Sequence, residues 1–172
     1  MLTKLGILAV SLWFLTLGSS PVDASVSSES LSLKVKADQL LKRGRIEQAI
    51  PMYESVLQRD RTFANAYYNL STAYFLQGNL EKAVSSLEAF VKLEPKDGEA
   101  LYNLGCLKLR LGAFDEARKC FLRAEDCPST GMISQKIKEA LQFVKDLSHQ
   151  NPETQKLLAY VLSGSSQTLF AA

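Results

Sequence analysis

Between Asn65 and Asp97 the chain reads NAYYNLSTAYFLQGNLEKAVSSLEAFVKLEPKD, two amphipathic segments hinged at Gly78-Asn79 with Pro95 just past the second. Apolar residues at helical spacing run through Tyr67, Leu70 and Tyr74, then through Leu80, Val84, Leu87 and Val91, so the pattern predicts two helices, each with one face to bury. Two such helices cannot cover both faces alone, and the chain answers by repetition. Gly44, Gly78 and Gly112 stand 34 residues apart, as do Ala49, Ala83 and Ala117. Tyr53, Leu87 and Phe121 keep the period, and so do Ile46, Leu80 and Phe114 and the set Leu33, Tyr67 and Leu101. Glycine at the end of a first helix closes it in the left-handed conformation without a Cβ penalty. Small residues, Ser71 and Gly105 in first helices and the three alanines in second helices, let paired backbones approach closely.

A 34-residue helix-turn-helix period is the mark of the tetratricopeptide repeat, and the chain resembles that family over about residues 30 to 128. The resemblance implies an all-α fold, a right-handed α-solenoid. Repeat 1 is expected over 30–63, repeat 2 over 64–97 and repeat 3 over 98–128. Repeat 1 is the least regular. Lys36 stands where later repeats have Leu70 and Leu104, and Pro51 inside the second helix removes a hydrogen bond and should kink it. A helix over 129–150, capped by Ser129 or Thr130, lacks the repeat's Gly and Ala and is read as a solvating cap, with Ile133, Ile137, Leu141 and Val144 on one side. A final short helix is expected over 151–164, opening at Pro152, and a loose tail over 165–172 anchored by Leu169 and Phe170.

The front end is a different material. Lys4 precedes an apolar run from Leu5 to Leu17, and Val22-Asp23-Ala24 has the small-residue spacing of a signal-peptidase site. The run is shorter than the roughly 20 residues of a membrane span. Residues 1–24 therefore read as a cleaved signal peptide, with an uncleaved membrane anchor as the alternative. Either places the protein outside the cytoplasm, secreted, periplasmic or lumenal in the first case and membrane-tethered in the second. The serines at 25, 27, 28, 30 and 32 suggest a short polar linker over 25–29.

Composition restricts the chemistry. At 172 residues, 47% hydrophobic and 22% charged, the chain can build an ordinary core, and its net charge of +2 gives no bulk attraction to nucleic acid. Lys34, Lys36, Lys42, Arg43 and Arg45 gather, but Asp38 and Glu47 sit among them, as on a solvated helix face. The one histidine, His149, lies beyond the repeats, so a triad would have to be built around it. No Gly-rich phosphate loop or nucleophile elbow occurs. Three cysteines, Cys106, Cys120 and Cys127, are an odd count. The last two lie two helical turns apart, roughly 10 Å, beyond disulfide reach, whereas Cys106 and Cys120 sit on paired helices and could meet. Asn69-Leu70-Ser71 matches a glycosylation acceptor but falls mid-helix. These features point to no catalytic residue, metal or cofactor.

In the family the first helix of each repeat lines a concave groove, at positions ten, six and three before the repeat Gly. Here these are Lys34, Asp38 and Leu41, then Tyr68, Thr72 and Phe75, then Tyr102, Cys106 and Leu109, with Asn69 and Asn103 beside them. Aromatic and apolar residues with a few amides suit an extended or helical peptide, or else pack against neighbouring helices. The resemblance thus implies a non-enzymatic interaction scaffold that holds a client peptide, or an anchored assembly or secretion chaperone using the same groove. One subclass of the family clamps the C-terminal carboxylates of heat-shock chaperones. Lys34 and Asn69 match its pattern, but Asp38, Glu99 and Asn103 stand where Asn, Lys and Arg are wanted, and two acids would repel such a ligand.

Overall fold

The computed structural model describes residues 21–128 and 131–148. They form seven helices: α1 (Pro21–Lys42), α2 (Ile46–Arg59), α3 (Ala64–Gln77), α4 (Leu80–Leu93), α5 (Gly98–Arg110), α6 (Phe114–Glu125) and α7 (Gly131–Ser148). Each packs on the next in sequence, and α1 also meets α3 and α5 meets α7, which is the stacking of an all-α solenoid. No strand occurs among the described residues.

The repeat turns explain the period physically. Gly44, Gly78 and Gly112 have φ of 70°, 85° and 75°, a region other residues enter only at a cost. Their N–H groups donate to Leu41, Phe75 and Leu109 at 2.9, 2.9 and 3.0 Å. The following N–H groups, of Arg45, Asn79 and Ala113, donate to Leu40, Tyr74 and Lys108, each at 2.9 Å. One pair of bonds thus closes α1, α3 and α5 alike, satisfying carbonyls that a helix end leaves bare. Asn79 then accepts from the Lys82 N–H at 3.1 Å and Asp97 from the Ala100 N–H at 2.8 Å, capping α4 and α5.

Ala49, Ala83 and Ala117 are fully buried, as are Tyr53, Leu87 and Phe121, so small and large residues alternate at the crossings as the spacing predicts. Ser71 Oγ donates to the Ala83 carbonyl at 2.7 Å. Leucine at 83 would force these backbones apart. Ala83→Leu is expected to cost about 1–3 kcal/mol, visible as a lowered midpoint in urea unfolding; an unchanged midpoint would contradict this crossing.

One expectation at the front end is modified. The Ser-rich stretch 25–29 is not a linker: it lies within α1, whose backbone is helical from Pro21 onward. Composition misled here, because nothing between Pro21 and Lys42 is a Gly or a second Pro, the residues that interrupt helices. The cleavage point expected after Ala24 consequently falls inside α1. α2 continues through Pro51, whose ring is exposed. Lys36 is exposed too, so α1 shows solvent the position that later repeats bury as Leu70 and Leu104. The apolar run Leu5–Leu17, the capping residues Ser129 and Thr130, His149, the expected final helix and the tail all lie outside the described residues.

Candidate peptide-binding groove

The groove is built from first helices held in register by two amides one repeat apart. Asn69 Nδ2 donates to Asp38 Oδ1 at 2.8 Å, and Asn103 Nδ2 donates to the Tyr68 hydroxyl at 2.9 Å. α3 is thereby tied to α1, and α5 to α3. Asn69 and Asn103, expected to face a client, instead serve the scaffold.

Asp38 is the hub at the α1 end. Besides Asn69 it accepts from the Tyr53 hydroxyl at 2.7 Å, and its Oδ2 lies 2.8 Å from Lys34 Nζ. Burial alone would raise the carboxyl pKa, but the hydrogen bonds from Lys34, Tyr53 and Asn69, with the Lys34 charge, hold it below 3.8. Lys34 and Asn69, which match the carboxylate-clamp pattern, therefore both serve a carboxylate of the chain itself.

The groove positions divide by burial. Tyr68, Asn69, Thr72 and Tyr102 are partly exposed. Phe75, Asn103, Cys106 and Leu109 are buried, at 5, 7, 7 and 8% exposure, so these four do not offer the open surface expected of them. Cys106 and Leu109 belong to one apolar cluster with Phe121 and with Val144 of α7. The cap helix thus covers the α5 end. Phe75 is capped by the Arg110 guanidinium, 4.9 Å from its ring centre, a cation–π contact. The open tyrosines are braced from behind, Tyr68 edge-on to Phe90 at 5.3 Å and Tyr102 tilted on Phe121 at 5.7 Å. Thr72 Oγ1 donates to the Tyr68 carbonyl at 3.2 Å.

All three cysteines are free. Cys106 and Cys120 face different clusters, which is why paired helices do not bring them together. Burial pushes the Cys106 thiol up to about 11 and raises Cys120 as well, the opposite of an activated nucleophile.

A second polar pattern, between each first helix and the second helices packed on it, escaped sequence reasoning. Glu54 of α2 accepts from the hydroxyl of Tyr74, and Lys82 lies 5.1 Å from the Tyr74 ring centre. One repeat later the same positions are Glu88, Lys108 and Glu116, where Lys108 Nζ lies 2.7 Å from Glu88 Oε1 and also pairs with Glu116. Tyrosine has become lysine and the lysine beside it glutamate, so the charges remain matched. Burial alone would lower the Lys108 pKa, but the two carboxylates outweigh it and raise it, while Lys108 lowers that of Glu116. The 34-residue spacing of Glu54 and Glu88 is the signal that could have revealed it.

A solenoid of helical repeats, with partly exposed aromatic side chains on successive first helices, defines the class of protein. The chain belongs to the tetratricopeptide repeat family, whose sequence models match residues 40–91 and 78–131. Among curated relatives it is 38% identical over 63 residues to the Cell division cycle protein 27 homolog of Caenorhabditis elegans, covering 37% of this chain and 8% of that protein. It is 26% identical over 111 residues to the tetratricopeptide repeat and J domain-containing co-chaperone DNJ1 of Fusarium oxysporum f. sp. lycopersici, covering 64% and 21%. The chain therefore spans only a small part of these relatives. Among solved structures, the Yersinia enterocolitica type III secretion chaperone SycD with a peptide of the translocator YopD superposes with a TM-score of 0.64 at 16% identity, over 69% of this chain and 93% of that one. The first repeat domain of Spaghetti (RPAP3), bound to the HSP90 peptide SRMEEVD, gives 0.63 at 22%, over 72% and 96%. At such identities the likeness is one of fold.

Proposed function

We propose that the protein is a non-enzymatic scaffold that holds a client peptide against Tyr68, Thr72 and Tyr102, exported from the cytoplasm or tethered outside it. The observation that carries this reading is the row itself: partly exposed aromatic side chains on successive first helices, braced by Phe90 and Phe121 and tied together by Asn103. Rigid aromatics give contact area at little entropic cost. That SycD and the Spaghetti domain were solved with peptides, and that DNJ1 is a co-chaperone, supports the reading by analogy of fold. The client differs from SRMEEVD in one respect. With Asp38 already filling the polar end between Lys34 and Asn69, that end repels an acidic terminus and admits a neutral or basic one.

Thr72→Arg fills the groove while removing no core contact, and Tyr68→Ala with Tyr102→Ala removes its aromatic wall. Both variants are expected to lose a client captured by the wild type, with helix content by circular dichroism retained for Thr72→Arg. A Thr72→Arg protein that still captures the same client would place the binding surface elsewhere. Export rests on the Lys4 and Leu5–Leu17 pattern; the intact mass of the native protein distinguishes a processed chain from one anchored through residues 1–24.

A further inference from the structure

We propose that the cleft between α4 and α6, floored by α5, is a second binding site apart from the groove tyrosines, and that it takes an acidic peptide segment. The cleft has a volume of about 510 Å³, within the usual range for ligand sites. It stands where the repeat sequence changes. At the equivalent place one repeat earlier the Tyr74 ring is buried, at 6% exposure. At 108 the residue is lysine, and the cleft opens beside it, with Leu104 and Cys120 among its apolar lining.

The charge of the lining indicates the ligand. Glu88 and Glu116 are both engaged by Lys108. Lys92, Lys119 and Arg123 line the same cleft, are exposed, and make no ion pair among the described residues. Lys92 comes from α4, whereas Lys119 and Arg123 stand one turn apart on α6, so cations flank the cleft from both sides. Four cations against two carboxylates leave the lining positive although the chain as a whole is nearly balanced. Val91, Leu104 and Cys120 at the floor are buried, so recognition falls to the rim. A peptide with several carboxylates along its length reaches Lys92 on one side and Lys119 and Arg123 on the other, which a single small anion cannot do.

The test uses the full chain and a fluorescein-labelled peptide, Glu-Leu-Glu-Glu-Leu-Glu, followed by fluorescence anisotropy. Saturable binding that weakens as salt rises is expected, with at least about a tenfold loss in Lys119→Glu with Arg123→Glu. Both side chains are exposed, so circular dichroism of this variant should match the wild type. The Gln-for-Glu peptide should not saturate, and Thr72→Arg, which blocks the groove, should leave affinity unchanged. Three results would overturn the proposal: no saturable binding by the wild type, equal affinity in the charge-reversed variant, or loss of binding in Thr72→Arg. The last would place the peptide in the groove, and a groove that fails to hold its own client would leave this cleft untouched, so the two readings fail separately.

Discussion

Phe121→Ala is expected to lose about 3–5 kcal/mol of folding stability, the cost of emptying a large aromatic site. Phe121 is fully buried, it supports Tyr102, and it joins α5, α6 and α7 through the cluster of Cys106, Leu109 and Val144. The reverse error at the same place is also costly. A Cβ at Gly105 would stand 2.5 Å from Phe121 Cε1 and 2.8 Å from Cδ1, and a fully buried ring has nowhere to retreat. Gly105→Ala should therefore cost about 2–3 kcal/mol, the upper part of the overpacking range. One repeat earlier the same two positions are Ser71 and Leu87, where the smaller partner leaves room for a side chain. Combining Gly105→Ala with Phe121→Leu should consequently cost less than the two singles together, by about 1–2 kcal/mol of coupling. Urea midpoints of the four proteins measure this directly, and strict additivity would show that Gly105 is not small on account of Phe121.

These positions show what could be read from the chain before its structure. The period was legible because a single turn chemistry recurs: glycine in the left-handed region, with its closing bonds to residues 40 and 41, 74 and 75, and 108 and 109. The alternation of small and large residues followed from the same spacing. Which groove positions stay open was not legible. Phe75 is closed by Arg110, and Cys106 and Leu109 by a helix that lacks the repeat pattern, so their burial depends on tertiary placement rather than on register. Asn69 and Asn103 look like free amides until α1, α3 and α5 stand side by side. The serines before Leu33 read as linker by composition, although nothing between Pro21 and Lys42 breaks a helix.

The second large effect belongs to the other end of the solenoid. Tyr53→Ala should cost about 3–5 kcal/mol, since a fully buried ring is lost and Asp38 loses a hydroxyl donor with it. Tyr53→Phe keeps the ring and removes that donor alone, for about 1 kcal/mol. Its pH dependence identifies the mechanism. The folded pKa of Asp38 is depressed, so its contribution is fully present above the unfolded value of 3.8 and is lost as pH falls through the lower folded value. The gap between Tyr53→Phe and the wild type should therefore be widest near neutrality and narrow in acid. A gap that stays constant down to about pH 2 would mean that the hydroxyl does not stabilise the Asp38 carboxylate.

Occupancy of the groove is the central claim, and site-specific photo-crosslinking tests it most directly. A benzoylphenylalanine replaces Tyr102, whose ring is partly exposed in the groove, or Gln58, which is exposed on α2, and the adducts are mapped by mass spectrometry in the native host. Adducts to one discrete peptide segment are expected at position 102, absent at position 58, and lost when Thr72→Arg is added. Equal adducts at both positions, or adducts at 102 that survive Thr72→Arg, would contradict a client held in this groove.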